Sequence, residues 1–228
     1  MQDVARVARP PSHTDSGAAL VIRGRRLEYL TVAWNSFEAA VALASGLMAG
    51  SIALVGFGLD SVIETASACI LLWALSAKRN PLQRERTERA AQRWVGVTFL
   101  LLAAYVTFES LRGLWTRQHT ERSLPGILIA IAAIIVMPML ARAKRRVAQQ
   151  LASGALTADS RQADFCAWLS AILLIGLLLD RVLGWWWADP AAALVMAPII
   201  AREGVLGVQG KACDDCGGTT TTGAENSK

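Results

Sequence analysis

The chain has 228 residues, 54% of them hydrophobic, with a formal net charge of +5 and a positive mean hydropathy. Such a composition is too apolar for a soluble domain of this size and points to a polytopic membrane protein. It also argues against a nucleic-acid partner, because the basic residues are spread through loops instead of sharing one folded face.

Residues 1–26 are polar, contain Pro and Ser, and have no apolar core ahead of a small-residue cleavage site. They are expected to be a disordered cytoplasmic tail and not a secretory signal. Six windows then have the roughly 20 apolar residues needed to cross a bilayer. They lie at about 28–49, 52–77, 94–115, 124–141, 160–181 and 184–201. The fold expected is all-α, with one six-helix transmembrane domain over 27–205 and a flexible tail over 206–228. Lys and Arg concentrate in alternate loops, around Arg23–Arg26, Lys78–Arg93 and Arg142–Arg146, with Arg202 and Lys211 at the end. The opposite side holds only Arg112, Arg117, Arg122 and Arg181. By the positive-inside rule, both termini are expected in the cytoplasm, and the membrane is expected to be the plasma (inner) membrane.

In the first window, Asn35 and Glu38 lie one turn apart at a depth where a charge should be buried. They are assigned a supporting or proton-relay role, with a plain polar helix contact as the competing reading. Small residues at Ala44, Ser45, Gly46, Gly50 and Ser51 predict a close helix approach. The second window is the most informative. Asp60 and Glu64 sit four residues apart, on one helix face, in an otherwise apolar run. A carboxylate near the bilayer centre costs roughly 3 kcal/mol or more, so the pair marks a cation site. The competing reading is a polar interhelical seam neutralised by protonation or by an Arg, but no Lys or Arg lies between Ser51 and Ser76. Cys69 of the same window is expected in the core.

The stretch 78–93 reads as a solvated helical extension of the third window, and 141–156 as an amphipathic linker near the lipid headgroups. At the start of the fifth window, Asp159, Gln162, Cys166 and Ser170 fall within an arc of roughly 80°. Asp164 projects away and is expected to pair with Arg161. Asp159-Ser160 weakly echoes Asp60-Ser61, as internal repeats in transporters do. Facing the second helix, this stripe predicts a metal set of Asp60, Glu64, Gln162 and Cys166, with Asp159 beside it. A buried free cysteine is as often an inert small hydrophobe. Trp185, Trp186 and Trp187 suit the membrane–water boundary.

The run Ser51 to Glu64 resembles the second helix of the cation diffusion facilitator (cation efflux) family, with its Ser-x-Ala-Leu start and paired ligand positions at Asp60 and Glu64. Ala158-Asp159 through Ser170, then Asp189-Pro190-Ala-Ala-Ala-Leu-Val and Arg202-Glu203-Gly204, look like that family's fifth and sixth helices. The resemblance covers about 27–205. It implies a proton-coupled exporter of divalent metal, often zinc, working by alternating access, with homodimerisation a family expectation. The family's fifth-helix ligands are usually His and Asp, where this chain has Gln162 and Cys166. Histidine is absent from the set, since His13 and His119 lie elsewhere, which leaves Cd²⁺, Co²⁺ and Mn²⁺ open beside Zn²⁺. The family's C-terminal cytoplasmic domain is not expected in this chain. Cys213 and Cys216 stand there in Cys-x-x-Cys spacing, readable as metal capture, a redox pair or an incidental feature.

The substrates expected are therefore a divalent ion and protons, with no permanently bound cofactor, and with lipid and, by the resemblance, a second copy of the chain as partners. Metal and protons would compete for the same donors, because ligands must be deprotonated to coordinate. No phosphate-binding loop suggests ATP use. An enzyme is not expected, for want of a nucleophile–base pair beside the cluster. The rival reading is a membrane-embedded sensor or scaffold that binds metal without moving it.

Overall fold

The structure is a computed structural model that describes residues 13–76, 81–117, 120–121, 123–151 and 153–209; for 13–18, 74–76, 81–89, 91, 92, 154 and 155 only the backbone is described. The cysteines expected in the tail, Cys213 and Cys216, and His119 fall outside the described residues. Six helices follow one another: α1 (His13–Ala49), α2 (Ile52–Ser76), α3 (Pro81–Thr116), α4 (Leu124–Leu151), α5 (Gly154–Leu183) and α6 (Ala188–Gln209). Each contains a stretch long and apolar enough to cross a membrane, so the chain is an integral membrane protein.

Burial is distributed as lipid solvation demands. Large apolar side chains such as Leu101, Phe108, Ile131 and Val182 are exposed on the outside, whereas Asn35, Glu38, Asp60, Ser61 and Glu64 are buried. Lipid hydrates none of these polar groups, so they must find partners inside the bundle. Three helix pairs pack closely, α1 with α2, α4 with α5, and α3 with α6; α2 also touches α3, α5 and α6. That central position is what sets the acids of α2 against α5.

Local chemistry sets the turns. Gly50, at φ 65°, makes the left-handed step between α1 and α2, and Gly184, at φ 66°, ends α5 by donating its N–H to the Asp180 carbonyl. Ser153 caps the start of α5 through Leu156 N. The small residues near Gly46 do what their size predicts: a Cβ on Gly46 would stand 2.9 Å from Val55 N. Trp185 and Trp187 stack in the α5–α6 turn, with ring centroids 5.0 Å apart.

Backbone meets backbone closely between α3 and α6. A Cβ on Gly96 would lie 2.5 Å from Val208 N and 2.7 Å from Gly204 O, both backbone atoms that no rotamer change can move. Gly96→Val is therefore expected to force the two helices apart and to destabilise the protein by about 1–3 kcal/mol, read as a lower unfolding temperature in detergent. An unchanged melting curve would contradict that packing.

Four expectations need correction. Residues 13–26, taken as part of a loose tail, are helical and continuous with the first span. Gly24 lies against Val147 and Leu156, and Leu27 packs against the cluster of Leu71, Val147, Ala148 and Leu156, so this part of α1 has its own contacts. Residues 141–151, read as a surface linker, are the last turns of α4, with Lys144, Val147 and Ala148 buried. Cys69 is exposed and not in the core. Asp164 ion-pairs with Arg145 of α4, which α4–α5 packing brings across, in place of the Arg161 expected from its own helix.

Candidate metal site

The acids of α2 project from adjacent turns of one face, as their spacing requires. Asp60 stands about 14 Å along the helix from Ser51, near the middle of a hydrocarbon layer about 30 Å thick. On α5, Cys166 faces the same interior and is fully buried. One donor atom from each of Asp60, Glu64 and Cys166 can be chosen so that all lie within 4.8 Å of one another. Tetrahedral ligands with bonds of about 2.0–2.3 Å sit roughly 3.3–3.8 Å apart, so the three would need to close by no more than about 1–1.5 Å around an ion. Two carboxylates balance a dication's charge, and the thiol adds a soft donor.

The helix α1 supplies the surroundings. Asn35 Nδ2 donates to Glu64 Oε2 at 2.8 Å. Glu38 Oε1 accepts from Ser61 Oγ at 2.8 Å and from Cys166 Sγ at 3.5 Å. These bonds fix the orientation of one carboxylate and connect Glu38 to the thiol. One more oxygen is left without a donor: Asn35 Oδ1 is buried and unpartnered, while the Glu38 carboxylate has the Trp34 side chain as a further neighbour. Buried polar atoms nearly always have partners, so an unmatched acceptor beside two carboxylates fits a place made for a cation.

Gln162 lies one turn before Cys166 on α5, and its Nε2 is likewise buried without a partner. The amide's two ends are distinguished only by their bonding, so the oxygen can equally be the atom presented inward. Ser170, on the same stripe, donates instead to the Cys166 carbonyl at 2.6 Å. Asp159, grouped with the metal set by its helical register, stands outside the cluster: it is held by Lys144 of α4, which also reaches Glu28 Oε2 of α1 at 3.3 Å. The physical reason is that Asp159 lies seven residues before Cys166, about 10 Å along the axis, too far to share an ion with it. The echo between Asp60-Ser61 and Asp159-Ser160 therefore joins two acids with different partners.

Residue-by-residue reading missed two further groups. Asp189, at the start of α6, is fully buried and accepts from Ser51 Oγ, from Ile52 N at 2.8 Å and from Ala53 N at 3.4 Å. It thus satisfies the open N–H groups of α2 from another helix. The Asp189-Pro190 pair marks a helix start, but nothing in it names Ser51 as the partner. Lys144 is the other, counted among loop cations although it is fully buried.

Fold and cluster together define a six-helix membrane protein with a carboxylate–thiol donor set at its centre. Residues 29–206 match the cation efflux transmembrane domain, and the chain belongs to that family. It is 29% identical over 196 residues to an uncharacterized transporter of Synechocystis sp., an alignment covering 83% of this chain and 58% of that protein. It is 28% identical over 109 residues to the cation-efflux pump FieF of Shewanella oneidensis, covering 48% and 35%. Against transmembrane protein 163 of Xenopus laevis it is 25% identical over 186 residues, covering 78% and 64%. The chain thus spans less than two thirds of the length of each of these relatives.

Proposed function

We propose that this protein exports a divalent metal ion in exchange for protons, using Asp60, Glu64 and Cys166 as principal ligands and Gln162 as the fourth. The observation that carries this reading is the convergence of three donor atoms from α2 and α5, within 4.8 Å of one another, in a buried place inside the bundle. Membership of the cation efflux family and the likeness to a named cation-efflux pump support it.

The chemistry follows from the donors. Coordination strips the proton from a thiol, since the thiolate is the ligand form. Glu38 is hydrogen-bonded to Cys166 and is placed to receive that proton. Protons and metal then occupy overlapping sites, so binding of one expels the other, and a proton gradient drives the metal out. Zinc is the expected ion, because two oxygens and one sulphur match its borderline softness. Both termini are proposed to face the cytoplasm, on the strength of the Lys and Arg distribution.

The test is flux in liposomes with an imposed pH gradient and a metal-sensitive dye. Uphill, gradient-dependent movement of Zn²⁺ is expected. Binding without flux would overturn the exporter reading and leave a membrane-embedded metal-binding protein. Cys166→Ser probes selectivity separately: loss of the sulphur should weaken Zn²⁺ and Cd²⁺ about tenfold or more while leaving Mn²⁺ nearly unchanged, by titration calorimetry. Equal weakening for all three ions would count against coordination by the thiol.

A further inference from the structure

Lys144 presents an arrangement that the central cluster does not use. Its ammonium lies between Glu28 Oε2 of α1 and an oxygen of Asp159 on α5, and all three residues are buried. Glu28, Lys144 and Asp159 come from three helices, so the contact exists only once α1, α4 and α5 have packed. Two carboxyl groups share one ammonium and stand within reach of each other, and Glu28 Oε1, in a fully buried side chain, receives no hydrogen bond from a nitrogen donor. Buried charge is usually matched and buried acceptors are usually filled. Here one acid and one oxygen are left over.

We propose that Glu28 and Asp159 form a second, all-oxygen cation site, in which the ammonium of Lys144 is the resident cation. A lysine suits that part because it is a compact point charge on a flexible stem that can withdraw, unlike the rigid fork of arginine. A dication would match two ionised carboxylates, where one ammonium matches only one of them. The donors are oxygen alone, so the ion class is hard: Mg²⁺ or Mn²⁺ in preference to a thiophilic metal.

The place of this site gives it a consequence. Asp159 precedes Gln162 and Cys166 on one stripe of α5, and Glu28 precedes Asn35 and Glu38 on α1. Two of the triad's members thus stand on α1 and α5, helices that also border the central cluster, toward the arginine-rich end of the bundle. An apolar group of Leu27, Leu71, Val147, Ala148, Leu151 and Leu156 joins α1, α2, α4 and α5 at that end. The tethered cation ties α1, α4 and α5 together there, in the part a metal ion would otherwise take.

The test uses the full chain carrying Asp60→Asn, Glu64→Gln and Cys166→Ser, so that the central cluster is dismantled and the result stands independently of the transport reading. Mn²⁺ is the probe, measured by electron paramagnetic resonance after equilibrium dialysis, because thiols elsewhere in the chain compete poorly for it. This background protein should bind no Mn²⁺ above the level of lipid and detergent alone. Adding Lys144→Ala should create one Mn²⁺ site per chain, and further addition of Glu28→Gln with Asp159→Asn should remove it. If Lys144→Ala is not recovered as a monodisperse protein, Lys144→Gln replaces it, with the same outcomes. No gain of Mn²⁺ without the lysine, or a gain that survives neutralising both acids, would overturn the proposal.

Discussion

Asp60→Asn is expected to abolish metal flux while leaving the protein inserted at normal levels. An amide at the centre of α2 is easier to place in hydrocarbon than a carboxylate, so biogenesis should not suffer. Binding should suffer severely. Residues that only orient a ligand are typically worth 10–100-fold in affinity, and a direct donor carrying half of the compensating charge should exceed that, at about 100-fold or more. Glu64→Gln should behave alike, whereas Asn35→Ala, which removes only the 2.8 Å bond to Glu64, should cost about tenfold. Calorimetric titration and dye-based flux on the same preparations separate the two effects. The affinity of the wild type should fall as pH is lowered, because its donors coordinate only when deprotonated. Wild-type flux in the Asp60→Asn protein would remove the central pair from the ion's route.

Removing the charge of Lys144 should have the largest effect on stability. Lys144→Met leaves Glu28 and Asp159 facing each other in the interior with no cation between them. Breaking a buried ion pair from one side typically costs about 3–5 kcal/mol, since the remaining charge is neither hydrated nor matched. Neutralising all three groups together, with Lys144→Met, Glu28→Gln and Asp159→Asn, should recover most of that loss, because no ion is then buried. Asp159→Asn alone should be mild, leaving a balanced Glu28–Lys144 pair. Apparent unfolding temperatures in detergent, compared across the series, check the ordering. A triple variant no more stable than Lys144→Met alone would show that side-chain shape, and not charge, holds these helices.

The six spans were readable from hydropathy because a bilayer imposes a length on every crossing. Their ends were not, since α1 and α4 continue well past the apolar windows. In α1, Gly24 and Leu27 pack against α4, α5 and α2; in α4, the polar run hides Lys144, Val147 and Ala148 on one inward face. Helical periodicity placed Asp60 with Glu64 and Gln162 with Cys166, because a shared face is a local property. It misled at Asp159, which shares the stripe but sits too far along the axis, and at Cys69, whose depth gave no information about which way it pointed. Asp164 found Arg145 on α4 where its own helix offered Arg161.

What the amino-acid order determined by itself was therefore a set of membrane helices, a pair of acids that lipid could not tolerate without a use, and membership in a family of cation carriers. Only the packed bundle decided which helices met: that α2 lies against α5, that Asp189 closes the start of a helix 138 residues away, and that Lys144 turns inward to two acids. Local periodicity sets where each side chain points around its own axis. Which partner it finds depends on contacts between segments far apart in the chain, and those form only when the whole interior is assembled.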